Sequence, residues 1–506
     1  MLSLTIALVG GACGSTADPT STSTPTELPT ATQTATITPT QLPSATATLT
    51  VAPTVTATMT DLPTTTPTPL PTQTPMPIMD HWEWVDVLDI VRDGLENPYI
   101  VFVNKNNSDN ISNLSTAEPS TNVETLYFAS PANPADRIPI LQLSAETNDQ
   151  IYVAPQGNAV AYFVADPSEI ATGLYVFDVD IGLSGRILPI DTLVQHGIFS
   201  EPAWSPDGAQ LAMVIETAYD LDIYAFDREM SIWQPLVQHG AFDFWPSWSP
   251  DGRYLAFVSD RAQCPTWTPG LSNSCDSDER SSPHGGHVYV LDILTGETTQ
   301  VSDVWTTELP YWVNAQQLAF SGGDLYDLLH PSRSLWVATM PQMIAREIRL
   351  NDGAAVQMNV AEAWTSDGLR VVFQSVGQTD ADIVVMSVNG ERLDTIESLS
   401  FARFTMAAAW SPDGTRLAIG GSGGNCPYGV SVLNEQFDLL ATGVSPRSMC
   451  DPIYSSDGRY IAFTGFSSNI ADGRVDVYSS SANGFDTRSL TGDLRGQMTL
   501  LGWVGP

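Results

Sequence analysis

Trp248-Ser249-Pro250-Asp251-Gly252-Arg253-Tyr254-Leu255-Ala256-Phe257 reads as a strand end, a tight turn and a second strand. Proline presets φ at the second turn position, and glycine supplies a positive φ at the fourth residue. The stretch returns at Trp204-Ser205-Pro206-Asp207-Gly208 and Trp410-Ser411-Pro412-Asp413-Gly414. Weaker copies are Trp364-Thr365-Ser366-Asp367-Gly368 and Tyr454-Ser455-Ser456-Asp457-Gly458. Around each copy the chain alternates short β-runs with turns. Leu255-Ala256-Phe257-Val258 follows the turn, His287 to Asp292 alternates, and Thr298 to Val301 comes fourth. Four antiparallel strands per unit of about 40 to 50 residues are the mark of β-propeller blades.

Aligned on the end of the first strand, the anchors are Val153, Trp204, Trp248, Trp312, Trp364, Trp410 and Tyr454. Before them, Tyr99–Val103, Thr125–Phe128 and Ile138–Leu141 look like second, third and fourth strands without a first. Leu500 to Val504 looks like a first strand without the others. Joined, they make one further blade from opposite ends of the chain, which removes the free sheet edges. The expected fold is therefore all-β, a propeller of four-stranded antiparallel blades, eight by this count or seven as the alternative. The anchor aromatics are read as packing, since a buried tryptophan removes about 150–250 Å² from water.

Composition divides the rest of the 506 residues. Residues 14–79 are almost entirely Thr, Pro, Ala, Ser and Leu, which cannot bury enough surface to offset ordering entropy. They are read as an extended stalk, after a signal-like segment at 1–13. A short docking segment at 80–97 follows, with Asp80 to Ile90 open to either a helix or a strand. The propeller is assigned to 98–506. The formal charge is −37, from 57 acids against 20 bases, with Lys105 the single lysine. Such a surface repels phosphate backbones, so no nucleic-acid partner is expected.

The aromatic-Ser-Pro-Asp-Gly repeat resembles the TolB-like propeller family, over roughly residues 98–506. The resemblance implies the fold and a frequent role in extracytoplasmic protein binding. That family includes the propeller domains of prolyl-oligopeptidase-type peptidases, so the fold leaves activity open. Leu8-Val9-Gly10-Gly11-Ala12-Cys13, leading into the Thr/Pro tract, resembles a bacterial lipoprotein signal. That resemblance implies lipidation at Cys13 and membrane attachment through the lipid alone, with plain secretion as the alternative. Export makes disulfides plausible among Cys264, Cys275, Cys426 and Cys450.

In a propeller, the loops between second and third strands open on one face with the connections between blades. The Ser-Pro-Asp-Gly turns lie on the other face and are short and uniform. The long loops and all four late cysteines fall on the first face, which suggests pairs 264–275 and 426–450. Connections between blades carry Glu201, Asp243, Glu308, Glu362 and Asp451, with Phe244, Trp245 and Tyr311 among them. These eight residues are the candidate ligand site, an acidic and partly aromatic channel mouth. The bland alternative is that the acids only solvate the rim.

Enzyme motifs fit poorly. Gly420-Gly421-Ser422-Gly423-Gly424 matches G-x-S-x-G by letter, but no histidine follows it. His284 and His287 stand near Asp276, Asp278 and Glu279, a spacing that allows a metal site. Paired histidines in a polar loop are ordinarily just solvated, so no metal, cofactor or catalytic residue is assigned. The leading expectation is a non-catalytic binding module for a protein, peptide or glycan. The alternatives are an enzyme using mouth carboxylates on carbohydrate or peptide, and a structural envelope protein.

Overall fold

The computed structural model describes residues 80–506 except 86–88, 93, 107–121, 145–149, 166–170, 190–200, 218–219, 264–284, 323–333, 352–362, 377–380, 403–404, 443–445 and 467–473. The signal-like segment, the stalk and the Cys13 expectation lie outside these residues. Among them, no helix is long and apolar enough to cross a membrane.

Strands follow one another as antiparallel neighbours in four-stranded units. Labelling each unit a to d from its innermost position, the a strands are Ile151–Val153, Ala203–Trp204, Asp243–Trp248, Tyr311–Asn314, Ala363–Trp364, Met406–Trp410 and Cys450–Tyr454. A further unit is assembled from both ends of the propeller segment. Its a strand is Gln497–Val504, and its b, c and d strands are Tyr99–Asn106, Val123–Ala129 and Arg137–Ser144. Tyr99 pairs with Val504 and Ile100 with Trp503, so this closure is a full ladder. The units that begin at Met406 and Cys450 also touch through one parallel bridge, Gly421 to Cys450.

The segment before the propeller resolves the helix-or-strand question both ways. Asp80–Trp84 is a strand that adds to the outer edge of the Ile151 unit, with Trp84 opposite Leu183. Asp89–Arg92 is one helical turn.

Each sheet is apolar on both faces and cannot bury both alone. The clusters of buried side chains accordingly lie between neighbouring sheets. Trp248, Leu255 and Phe257 pack with Ala212, Val214 and Ile223 of the preceding unit. Ile100, Phe102 and Met498 of the closing unit pack with Ala462, Val477 and Leu490. The same closing unit packs on its other face against Val160, Tyr162 and Phe177. Every unit shares one cluster with the unit before and one with the unit after, in an unbroken ring. This is a β-propeller.

The turn chemistry is uniform where the motif is intact. Ser249 donates from Oγ to Asp251 Oδ1 at 2.6 Å and accepts from the Tyr254 amide at 2.9 Å. The Gly252 amide donates to the Ser249 carbonyl at 2.9 Å. Ser205, Thr365, Ser411 and Ser455 repeat the hydroxyl-to-carboxylate bond with Asp207, Asp367, Asp413 and Asp457. The hydroxyl of Ser411 and the Thr415 amide hold the Asp413 carboxyl below the ordinary carboxylate value. Gly252 has φ 71°, and the other four motif glycines lie at 68° or 69°. A residue with a Cβ is strained there. Ala154-Pro155-Gln156-Gly157 takes the same backbone path without the serine or the aspartate. Gly157 has φ 76°, and its amide donates to the Ala154 carbonyl at 2.8 Å. The Trp312 unit uses a shorter turn instead, with Asn314 paired to Gln317.

The anchor tryptophans do more than pack. The indole N–H of Trp248 donates to the Ala203 carbonyl of the preceding a strand at 3.1 Å. Trp204 reaches Tyr152, Trp312 reaches Ser247, Trp410 reaches Ala363 and Trp503 reaches Ile453, at 2.9–3.1 Å. In every case the acceptor is the residue just before the preceding anchor. The series breaks at Trp364, whose buried Nε1 has no partner among the described residues. It also breaks at Tyr454, whose hydroxyl donates to Ala482 within its own unit.

These two kinds of tryptophan predict different costs for one substitution. Trp248→Phe should lose a net hydrogen bond and leave a half-buried carbonyl without its indole donor, about 1–2 kcal/mol more than Trp364→Phe. Chemical denaturation of the two variants measures the difference, and equal losses would count against the indole bond as a staple.

Candidate functional site

The residues expected at a channel mouth lie where each unit hands the chain to its a strand. Apart from the single bridge from Cys450 to Gly421 of the unit before, each a strand pairs with its own b strand alone, and its other edge stays unpaired. Proline stands two residues before the anchor at Pro202, Pro246, Pro310 and Pro452. A proline there offers no N–H to a foreign strand, a common device on edge strands. In two units the ladder slips beside the proline, between Phe244 and Ser247 and between Cys450 and Ile453. The residues at these bulges, Trp245 and Asp451, have φ of 54° and 48°. Bulges of this kind re-aim side chains, and positive φ in a non-glycine residue is a strained state that concentrates at functional positions.

The predicted site residues divide into two groups. Phe244 and Trp245 are buried, 5.0 Å apart edge to face, inside the core cluster between two units. Asp243 is fully buried, and both its oxygens accept from Arg261 Nη2 at 2.9 Å. Arg261 in turn lies over the rings of Phe257 and Tyr289, at 5.2 and 4.8 Å. These three predicted residues therefore brace the wall and do not open on the mouth. Burial pushes the Asp243 carboxyl up to about 6 against the pull of Arg261 and Ser259.

The other group reaches the surface. Glu201 is exposed and sits close enough to Tyr152 to add to the effect of burial, which pushes that hydroxyl up to about 12. Tyr311 is 52% exposed. Glu308 is half-buried and accepts from the Ser321 hydroxyl at 2.5 Å. Asp451 is exposed, yet partial burial raises its carboxyl pKa against the hydrogen bond from Ser422. Glu362, Cys264 and Cys275 lie outside the described residues.

Cys426 and Cys450 form a disulfide, which ties the loop after one b strand to the next a strand, beside Asp451. Ser422, the serine of the G-x-S-x-G letters, has the Asp451 carboxyl as its partner, and that is not the imidazole a nucleophile elbow needs. His287 packs edge to face on Trp305 at 5.4 Å, and burial lowers its pKa. The other members of the histidine and carboxylate set, His284, Asp276, Asp278 and Glu279, lie outside the described residues. Among the described residues, no three His, Cys, Asp or Glu side chains are grouped to hold a metal.

Sequence reading missed Arg261 as the partner of Asp243. The one available signal was a basic residue just past a b strand, in Ser259-Asp260-Arg261, facing an acid at the start of the a strand.

The family described as TolB beta propeller domain matches residues 153–270. That stretch carries the TolB-type propeller repeat, and the fold around it is a β-propeller. No curated protein matches the chain. Dipeptidyl peptidase 4 of Porphyromonas gingivalis is 15% identical with a TM-score of 0.50, covering 82% of this chain and 63% of that one. A eukaryotic initiation factor is 12% identical with a TM-score of 0.49, covering 81% and 99%. TolB of Acinetobacter baumannii is 14% identical with a TM-score of 0.34, covering 69% and 67%. The chain thus spans under two thirds of the peptidase, and at these identities the likeness is one of fold.

The Asp243–Arg261 pair makes the wall sensitive to pH. A carboxyl raised in the folded state stabilises below its unfolded value of 3.8 and loses that contribution as pH rises through about 6. Arg261→Leu keeps apolar bulk over the two rings but strands the carboxylate. It should cost about 3–5 kcal/mol near pH 8 and clearly less at pH 5, where protonation relieves the unpaired charge. Urea melts of both proteins at the two pH values test this, and a loss independent of pH would refute it.

Proposed function

We propose that the chain is an extracytoplasmic, non-catalytic β-propeller of eight blades that binds a protein, peptide or glycan on its loop-bearing face. The most direct ligand is a basic peptide segment at the mouth. The eight four-stranded units and the ring of eight shared clusters support the blade count.

One observation carries the binding site. Glu201 and Asp451 both stand three residues before the anchor of their unit, both are exposed, and neither meets a basic side chain among the described residues. Asp451 lies on the a strand of its unit and Glu201 two residues before its own, so both are carried by a rigid scaffold, where binding groups need little ordering. A cation-bearing ligand meets them with the field of the whole acidic chain behind it.

A non-catalytic role is supported by how the other polar groups of these connections and the neighbouring loops are engaged. Asp243 is tied to Arg261, Glu308 to Ser321, and Ser422 faces a carboxyl. The Cys426–Cys450 bridge supports a compartment outside the cytoplasm, where disulfides persist. Attachment through Cys13 and display on the Thr/Pro stalk complete the reading.

The test is fluorescence anisotropy of a labelled arginine-rich peptide with the purified protein. Affinity should fall with added salt, and Glu201→Gln with Asp451→Asn should weaken it at least about tenfold. Unchanged affinity in the double variant would remove the mouth site. Turnover of chromogenic peptides or polysaccharides would overturn the non-catalytic reading.

A further inference from the structure

The seam between the units that begin at Met406 and Cys450 lacks the indole bond, because its anchor is Tyr454. It carries the Cys426–Cys450 disulfide instead. The b strand Leu417–Gly421 meets its c strand Ser431–Leu433 only at Leu417–Leu433 and Ala418–Val432. In the next unit the b strand Tyr460–Phe466 is paired along its whole length. Residues 422–430 therefore leave their sheet early and run as a strap toward the Cys450 unit.

The strap is tied on two sides. On one, the Tyr428 hydroxyl accepts from the Ser400 amide at 3.1 Å, and its ring meets Phe401 edge to face at 5.3 Å. On the other, the Met449 amide donates to the Tyr428 carbonyl and the Gly421 amide to the Met449 carbonyl, both at 2.8 Å. The crossing requires glycine. A Cβ on Gly420 would lie 2.5 Å from the Met449 carbonyl oxygen, and one on Gly421 would lie 2.1 Å from that of Asn425.

The strap also fixes Asp451. It bonds covalently to the residue before, through Cys450, and its Ser422 donates to the Asp451 carboxyl. Asp451 has φ 48°. A non-glycine residue stays in that region only where its surroundings over-determine it, and two of those constraints come from the strap. The two sulfurs differ in access. Cys450 is 4% exposed, whereas Cys426 is half-buried beside exposed Gly423, Gly424 and Asn425. Exchange needs a thiolate to reach a sulfur, so Cys426 is the point of entry.

We propose that the Cys426–Cys450 disulfide is a redox latch on Asp451, opened by a dithiol. A thiolate of the dithiol attacks Cys426 Sγ, and the Cys450 sulfur leaves and takes a proton. The second thiol of the reductant then displaces Cys426 from the mixed disulfide. The dithiol becomes its own disulfide, and its two electrons and two protons end on the two cysteines. The opening stays local, because the packing of Ala418 and Val432 with Tyr454 and Phe463, and the ladder from Ile453 to Ala462, do not use the strap. Asp451 then relaxes out of positive φ and no longer presents a fixed carboxylate. The effect on a ligand rests on the reading of Asp451 as a binding residue; the opening of the strap does not.

The experiment is hydrogen exchange of the full chain, read by mass spectrometry before and after dithiothreitol, with alkylation to count the thiols released. Segments 421–430 and 448–452 should exchange at least about tenfold faster once Cys426 and Cys450 are reduced, with the other units unchanged. Cys426→Ser should reproduce the faster exchange, and dithiothreitol should add nothing to it. Affinity for the labelled arginine-rich peptide should fall at least about fivefold in the reduced wild type and in Cys426→Ser alike. Three results would each overturn the latch: slow exchange retained after reduction, faster exchange spread over every unit, or a disulfide that resists dithiothreitol until the protein melts. Faster exchange in the strap with unchanged peptide affinity would overturn its hold on Asp451 as a binding group. If the oxidised protein binds no peptide, the mouth reading fails and the exchange result alone decides the latch.

Discussion

The whole molecule depends on the contact between one sheet and the next. No unit has a core of its own, because its buried side chains complete their shell only against a neighbour. The anchor tryptophan concentrates that dependence in one side chain. Its ring fills the space between two sheets, and its N–H satisfies a carbonyl on the a strand of the unit before. Packing and hydrogen bonding therefore fix the same spacing. The Trp503 bond to Ile453 carries the pattern into the closing unit, so the ring is stapled where the two ends of the chain meet.

Closure decides which strand edges the propeller leaves open. With the last unit laddered from both ends, the remaining free edges are the channel-facing a strands and the outer d strands. One outer edge is covered by Asp80–Trp84. The inner edges carry proline at a repeated position, so they resist strand addition and present side chains. The bulges at Trp245 and Asp451 show two outcomes of one backbone device. One turns a ring into the core, and the other turns a carboxylate outward.

How far the sequence was legible follows from which interactions are local. The turn motif is read directly because its donor, acceptor and glycine lie within five residues. Strand order and end-to-end closure followed from counting those turns. Ala154-Pro155-Gln156-Gly157 was harder, since only proline and glycine survive there while the backbone path is the same. The site was less legible. Asp243, Phe244 and Trp245 share a connection with surface residues, yet burial depends on a bulge that moves the strand by one residue. The partners that decide each role are distant in the chain. Asp243 meets Arg261 across a strand pair, and Arg137 meets Asp493 across almost the entire propeller. The Cys426–Cys450 pair was accessible because topology alone puts those loops on one face.

The arginines clarify what the charge excess means. Arg228 is mostly buried between Asp178 and Asp180, Arg261 against Asp243, and Arg474 against Asp476. Arg370 lies over the Trp410 ring and donates to the Gly414 carbonyl of the next unit. Arg228 and Arg370 hold neighbouring units together, Arg261 and Arg474 pair with acids of their own units, and many of the 57 acids are left for the surface. In a protein with 20 basic residues, this allocation makes the exterior more acidic than the composition implies. Its field reaches about 8–10 Å at physiological salt, far enough to orient a basic partner of the kind proposed above but not to choose it. Choice among charged partners comes from shape and short-range hydrogen bonds.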